Sequence, residues 1–261
     1  MTGPTQPKPL PSFAEACDPG LVREENQDSV RHVSTPMGEL VLVADGIGGY
    51  RGGGTASRIV VETFASWVSA RPPNYSAALA IAEAAAQANT NIRETAALGE
   101  PAYRQMGSTV VLALITQDEH STMAWIGHIG DSRAYLARAG VLSCLTRDHS
   151  AVQALIDQNQ VSPENARSHP DASVLTRSLG HQPEVEIEIT MTQLEAGDSL
   201  LLCSDGLWGF VPEQSIANVL TDLKIAPGEV ADQLLHLALQ AGGQDNIGIE
   251  VVRYSTPVVV P

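Results

Sequence analysis

No stretch of this 261-residue chain approaches the roughly 18 uninterrupted apolar residues of a membrane span, and the first residues carry no apolar export segment. A cytoplasmic protein with no membrane insertion is expected. Cysteine is scarce: Cys17, Cys144 and Cys203 stand far apart at no metal-ligand spacing, and an odd number cannot all pair within one chain, which argues for reduced thiols. Basic residues are few, 15 Lys and Arg against 30 Asp and Glu, for a net charge of -15, and no run of Lys or Arg forms a basic patch. That balance repels nucleic acid and anionic lipid, so neither is an expected partner. Also missing are any repeat, any long charge run and any linker rich in Gly, Ser or Pro that would separate two cores. One domain is therefore expected over residues 13–254, and a monomer. An irregular leader over residues 1–12, with Pro4, Pro7, Pro9 and Pro11, and an irregular tail over residues 255–261 would flank it.

What the chain does contain is 43% hydrophobic residues, enough for a full core. Runs dense in Val, Ile and Leu predict strands over Glu39–Ala44, Ser108–Ile115, Thr122–Ile129, Ala134–Ala137, Glu184–Thr190, Ser199–Cys203 and Ile247–Arg253. Apolar positions three and four apart predict helices over Thr55–Ala70, Ser76–Leu98, Glu213–Leu223 and Pro227–Ala241. The helices come in two pairs and the strands cluster in hairpin-like order, which favours antiparallel sheets in an α+β fold over a doubly wound parallel sheet.

Three of the apolar runs end alike. Leu40–Ala44 leads into Asp45-Gly46, Trp125–Gly130 into Asp131-Ser132, and Leu200–Ser204 into Asp205-Gly206, while Asp245-Asn246 stands just before the last strand. A strand end is a rigid mount for a ligand, and a following Gly lets backbone approach closely. Carboxylates gathered in one cleft repel unless cations neutralise them, and oxygen-only donors select hard ions such as Mg²⁺, Mn²⁺ or Ca²⁺. Two such ions, roughly 3.5 to 4 Å apart, are a general device for phosphoester hydrolysis. The reaction also needs a cationic fork for the phosphate, and Arg23, in Val22-Arg23-Glu24-Glu25-Asn26-Gln27-Asp28, is the candidate.

Taken in order, Arg23–Asp28, Val43–Gly49, Gly107–Thr109, Gly127–Arg133, Leu145–Ser150, Ser204–Trp208 and Asp245-Asn246 resemble the motifs of the protein phosphatase 2C family in its compact bacterial form, over nearly all of residues 17 to 253. The resemblance implies a four-layer α/β/β/α sandwich, two central antiparallel sheets flanked by helix pairs. It implies a protein serine/threonine phosphatase using two Mn²⁺ or Mg²⁺ ions with a third, weaker one, acting on phosphoproteins and opposing a cognate kinase. Asp45 would bridge both ions, Gly46 would offer its carbonyl, and Asp205 and Asp245 would complete one ion's ligands. Asp131 with Asp205 would hold the third, Arg23 would bind phosphate, and Asp28 would partner a metal-bound water.

Two departures matter. Gln27 stands where many relatives have Glu, which keeps a hydrogen-bonding amide behind the ligands but loses charge. Ile47 stands where some eukaryotic relatives have a histidine proposed as general acid; a metal-bound water could serve instead, with His149 and His169 as weaker candidates for that role. Residues 150–176 match the family's flap in position, and Ser162-Pro163-Glu164 predicts a short helix within it. Two other functions compete: a phosphoprotein-binding module that has lost turnover, and a hydrolase of small phosphate esters. Degenerate members usually lose ligand aspartates, and Asp45, Asp205 and Asp245 are all present.

Overall fold

Alternate side chains of the segment Leu40–Ala44 enter two different cores. Leu40, Leu42 and Ala44 pack with the apolar faces of two long helices, whereas Val41 and Val43 pack toward a second sheet. A strand buried on both faces has no polar side to display, which is why the central strands read as unbroken apolar runs. The protein is described here by a computed structural model covering residues 9–167 and 169–255.

One sheet has the strand order β1 (Leu10–Asp18), β11 (Ile247–Ser255), β10 (Asp198–Cys203), β7 (Arg133–Arg138) and β8 (Val141–Cys144). The other runs β2 (Asp28–Thr35), β3 (Gly38–Ile47), β5 (Val110–Gln117), β6 (Thr122–Ile129) and β9 (Glu188–Gln193), with the short β4 (Gly107–Ser108) pairing with the end of β3. Neighbouring strands pair antiparallel in both. Helices α1 (Gly49–Ser69) and α2 (Ala77–Leu98) cover the second sheet, with Val60, Phe64, Ile81 and Ile92 in their shared core. Helices α5 (Asp205–Trp208), α6 (Glu213–Leu220) and α7 (Pro227–Gln240) cover the first, through Leu207, Ile216, Leu220 and Leu234. Between the sheets Val43, Val111, Ile126, Leu200, Leu202 and Val252 form the middle layer. The result is the four-layer α/β/β/α sandwich, with α3 (Ala151–Asp157) and α4 (Pro163–Ala166) in the segment joining β8 to β9.

Several boundaries differ from the sequence expectation. Residues 10–12, assigned to an irregular leader, belong to β1, where Leu10, Pro11 and Ser12 pair with Ser255, Tyr254 and Arg253. Proline is tolerated there because β1 is an edge strand. Ser255, assigned to the tail, is likewise in β11, Pro9 lies outside any strand, and residues 1–8 and 256–261 lie outside the described residues. The strand expected over Glu184–Thr190 is displaced to β9. Helix α1 starts at Gly49 rather than Thr55, through three consecutive glycines that intrinsic propensity disfavours in a helix. Packing explains them: a side chain at Gly53 would sit 2.6 Å from the Gly46 carbonyl oxygen and 2.5 Å from Gln27 Oε1. The flap helix begins at Pro163 with Ser162 at the N-cap, as the sequence indicates, although the Ser162 hydroxyl caps no backbone N–H.

Candidate active site

The antiparallel order brings one end of β3, β6 and β10 and the beginnings of β2 and β11 to the same edge of the sandwich. There the aspartates converge. Arg23, Gln27, Asp45, Gly46, Asp131, Asp205 and Asp245 all line one open cleft of 780 Å³, together with Val22, Ile47, Ser178, His181 and Asn246. Asp28 lies behind this wall, buried, as the cross-strand neighbour of Asp45.

Each carboxylate is fixed by its backbone. The run predicted as one strand over Ser108–Ile115 breaks at Thr109, whose N–H donates to the Asp45 carbonyl at 2.9 Å. The Thr109 hydroxyl accepts the Asp45 N–H at 3.0 Å and lies 2.7 Å from Ser132 Oγ, so a single threonine links the Asp45 and Asp131 strand ends. Glycine follows Asp45 and Asp205 for a steric reason. A side chain at Gly46 would meet the Gly53 carbonyl oxygen at 2.1 Å, and one at Gly206 would meet the Asn246 carbonyl oxygen at 1.9 Å. Asn246 clamps the loop that carries Arg23: its Oδ1 accepts from Gln27 N at 2.8 Å, and its Nδ2 donates to the carbonyls of Pro19 and Glu25, both at 2.9 Å. The sequence marked Asn246 only as part of a motif and missed this task. Gln27 also receives the Gly46 N–H on its carbonyl at 3.1 Å.

Burial and mutual repulsion govern the charges. Burial first, then Asp28, Asp205, Asp131 and Asp245, hold the Asp45 carboxyl well above the ordinary range. Burial and Asp205 raise Asp131 in the same way. Asp205 is pushed up to about 6 by burial and Asp245, against the opposing pull of Arg23. Asp28 reaches about 7, chiefly from burial, although Ser204 Oγ donates to its Oδ2 at 2.6 Å. Its Oδ1 is buried and has no hydrogen-bond partner among the described residues. A wall of oxygen donors whose ionised forms repel, with an orphaned carboxylate oxygen beneath it, fits hard divalent cations.

The two histidines considered as proton donors do not line this cleft. His149 is buried: its Nδ1 accepts the Gly130 N–H at 3.1 Å, its Nε2 lies 3.2 Å from Glu188 Oε2, and its ring stacks on His128 with centroids 4.6 Å apart. His128, His149 and Glu188 are close enough to suggest a metal site. However, one nitrogen of His149 is taken by backbone, His128 Nε2 is 2.9 Å from the Arg147 carbonyl, and Arg177 Nη1 lies 3.3 Å from His149 Nε2. His169 lies beside Asp171 in the flap. His181, which the sequence did not single out, is the histidine among the described residues lining the cleft.

The profile of the family described as Protein phosphatase 2C matches residues 22–239. The serine/threonine protein phosphatase PstP of Mycobacterium tuberculosis is 38% identical over 240 residues, which are 92% of this chain but only 44% of that protein, so the chain spans less than half of this relative's length. The protein phosphatase PhpP of Streptococcus pneumoniae is 36% identical over 241 residues, covering 90% of this chain and 94% of that one. Among solved structures, the M. tuberculosis PstP/Ppp phosphatase superposes with a TM-score of 0.84 at 35% identity, over 94% of this chain and 99% of that one. The PstP catalytic domain in complex with two manganese ions gives 0.82 at 34% identity, over 95% and 100%. With the profile spanning most of its length and relatives similar across nine-tenths of it, the chain belongs to the protein phosphatase 2C family.

Proposed function

We propose that the chain is a metal-dependent protein serine/threonine phosphatase. The observation that carries this reading is the meeting of Asp45, Asp131, Asp205, Asp245 and Arg23 in one open cleft. Asp45, the Gly46 carbonyl, Asp205 and Asp245 would hold two divalent ions, and Asp131 with Asp205 a third and weaker one; manganese is favoured over magnesium because the PstP structure holds it. When bound, the ions supply Lewis acidity toward the phosphoryl oxygens and acidify a water.

The chain's own residues do the rest. Arg23, on a loop clamped by Asn246, offers a planar fork of N–H donors to the phosphate. Thr109 keeps Asp45 and Asp131 in fixed relation. Asp28, hydrogen-bonded to Ser204, supports the site from behind, with Gln27 beside it. The cleft is open enough for a phosphorylated side chain presented by a protein segment, and Ser173 and Leu175 bring the flap to its wall. The substrates would be phosphoserine and phosphothreonine proteins of a bacterial cytoplasm, with a cognate kinase as partner and the monomer as the acting form.

Hydrolysis of a phosphothreonine peptide by the purified chain tests this directly, first in EDTA and then with Mn²⁺ or Mg²⁺ added. Phosphate release that requires the metal is the expected result. No release under either metal, with phosphopeptide binding retained, would replace the enzyme reading by that of a binding module.

A further inference from the structure

Ser178 and His181 form a hydroxyl–imidazole pair on the wall of the cleft, with Ser178 Oγ 2.6 Å from His181 Nδ1. The other ring nitrogen, Nε2, lies 3.2 Å from the Gln105 carbonyl oxygen. A carbonyl can only accept, so Nε2 carries a hydrogen, and in the neutral ring Nδ1 accepts the Ser178 hydroxyl. Ser178 is 6% exposed, while the imidazole is open to solvent.

The position of the pair is set by three adjacent rungs of backbone. Ile47 and Gly46 at the end of β3 pair with Gly107 and Ser108 of β4, and Ser108 in turn exchanges two backbone hydrogen bonds with Leu179, at 3.0 and 2.9 Å. The His181 ring lies against Gly107, where any side chain would come within 2.6 Å of its Cε1. Glycine at 107 therefore makes room for an imidazole on the rung beside Ile47, an apolar side chain with no proton to give.

Resting on the phosphatase reading above, we propose that Ser178 and His181 are a proton relay to the leaving oxygen. His181 enters the step doubly protonated, with Nε2–H toward Gln105 and Nδ1–H toward Ser178 Oγ. As the P–O bond breaks, its electron pair stays on the seryl or threonyl oxygen, which takes the Ser178 hydroxyl proton. Ser178 regains a proton from Nδ1, and His181 is left neutral. The attacking water becomes a phosphate oxygen, and the proton it sheds to solvent balances the one His181 draws back.

A proton donor matters for an alkoxide leaving group and hardly at all for a phenolate that leaves well, so the test compares two substrates. His181→Gln and Ser178→Ala are each assayed with Mn²⁺ on a phosphothreonine peptide and on p-nitrophenyl phosphate, with thermal unfolding as a check on folding. The expected result for both variants is a fall of about 100-fold in kcat on the peptide and a change of less than about 3-fold on p-nitrophenyl phosphate. Equal losses on the two substrates, or no loss on the peptide in either variant, would overturn the relay. A wild-type chain inactive on both would instead overturn the phosphatase reading and the relay with it.

Discussion

Arg23 Nη2 lies 2.7 Å from Asp245 Oδ2, joining the loop after β1 to the turn that opens β11. The contact is exposed, with 56% of the arginine side chain accessible, so it adds little to the stability of the fold. Its value is positional, since it holds a guanidinium at the edge of the carboxylate cluster. Arg23→Ala is expected to leave the unfolding temperature within about 2 °C of wild type, as an exposed ion pair contributes at most about 1 kcal/mol. On a phosphothreonine peptide the same variant is expected to lose about 10- to 100-fold in kcat/KM, the value of a charge-assisted bond to phosphate. Arg23→Lys should recover only part of it, because an ammonium cannot make the bidentate contact. Unchanged kinetics in Arg23→Ala would remove Arg23 from the phosphate site.

The carboxylate cluster makes the metal-free protein sensitive to pH in a defined direction. Asp205 and Asp28 sit near 6 and 7 in the fold against 3.8 as the ordinary value, so both bind protons more tightly folded than unfolded. The stability they contribute is present below about pH 4 and is lost as pH rises through about 6 for Asp205 and about 7 for Asp28. In EDTA, urea denaturation should show a fall in stability between pH 4 and 7, and Asp205→Asn should remove on the order of 3 kcal/mol of that fall. Mn²⁺ should flatten the wild-type curve. A variant as pH-sensitive as wild type would show that repulsion at Asp205 is not the cause.

Much of this architecture was legible because burial on both faces wrote itself into the sequence. Leu40–Ala44 of β3, Val110–Ile115 of β5 and Leu200–Cys203 of β10 are unbroken apolar runs, and Asp45 and Asp205 stand out just past the first and the last of them. β2 and β1 escaped because they are edge strands. Arg31 and His32 interrupt the apolar pattern of the first, and Pro11 gives the second the look of a leader. The start of α1 escaped because its glycines serve a close backbone approach, which periodicity does not record. The tasks of Asn246, Thr109 and His181 rest in part on the bonds from Asn246 to Glu25, Asp45 to Thr109 and His181 to Gln105, whose partners lie 221, 64 and 76 residues apart, and no local pattern encodes those.

Glu250 is an acid that the sequence hid inside β11. Its side chain is fully buried, neither carboxyl oxygen finds a hydrogen-bond partner among the described residues, and burial, reinforced by the cross-strand Glu15, pushes it up to about 9. Because the folded value lies above the ordinary 4.5, the group stabilises the fold fully only below about pH 4.5, and this contribution drains away as pH rises toward 9. At neutral pH, keeping the proton costs about 3 kcal/mol. Glu250→Gln removes that cost but leaves an amide in the same unsatisfied place, so a net gain of about 1 to 2 kcal/mol at pH 8, shrinking to nothing at pH 4, is expected from urea denaturation. A variant less stable than wild type at pH 8 would mean that the carboxyl has a partner the amide cannot replace.

Arg133 lies just past Asp131 and is held on every side. Its Nε and Nη2 grip the two oxygens of Asp148 at 2.8 and 2.7 Å, Nη1 donates to Tyr135 Oη at 3.1 Å, and the guanidinium stacks 3.5 Å from the Trp208 ring. Asp148 is only 7% exposed, so removing the arginine leaves a largely buried carboxylate without its paired donor. Arg133→Met is expected to lose about 3 to 5 kcal/mol in urea denaturation at pH 7. Arg133→Lys should lose nearly as much, since a point charge cannot make the paired contact or the stack. Replacing both partners is the sharper test: in Arg133→Met with Asp148→Leu no buried charge is left unpaired, and the double variant should be more stable than Arg133→Met alone. If the two losses simply add, the pair is not coupled, and Arg133 is held by Trp208 and Tyr135 instead.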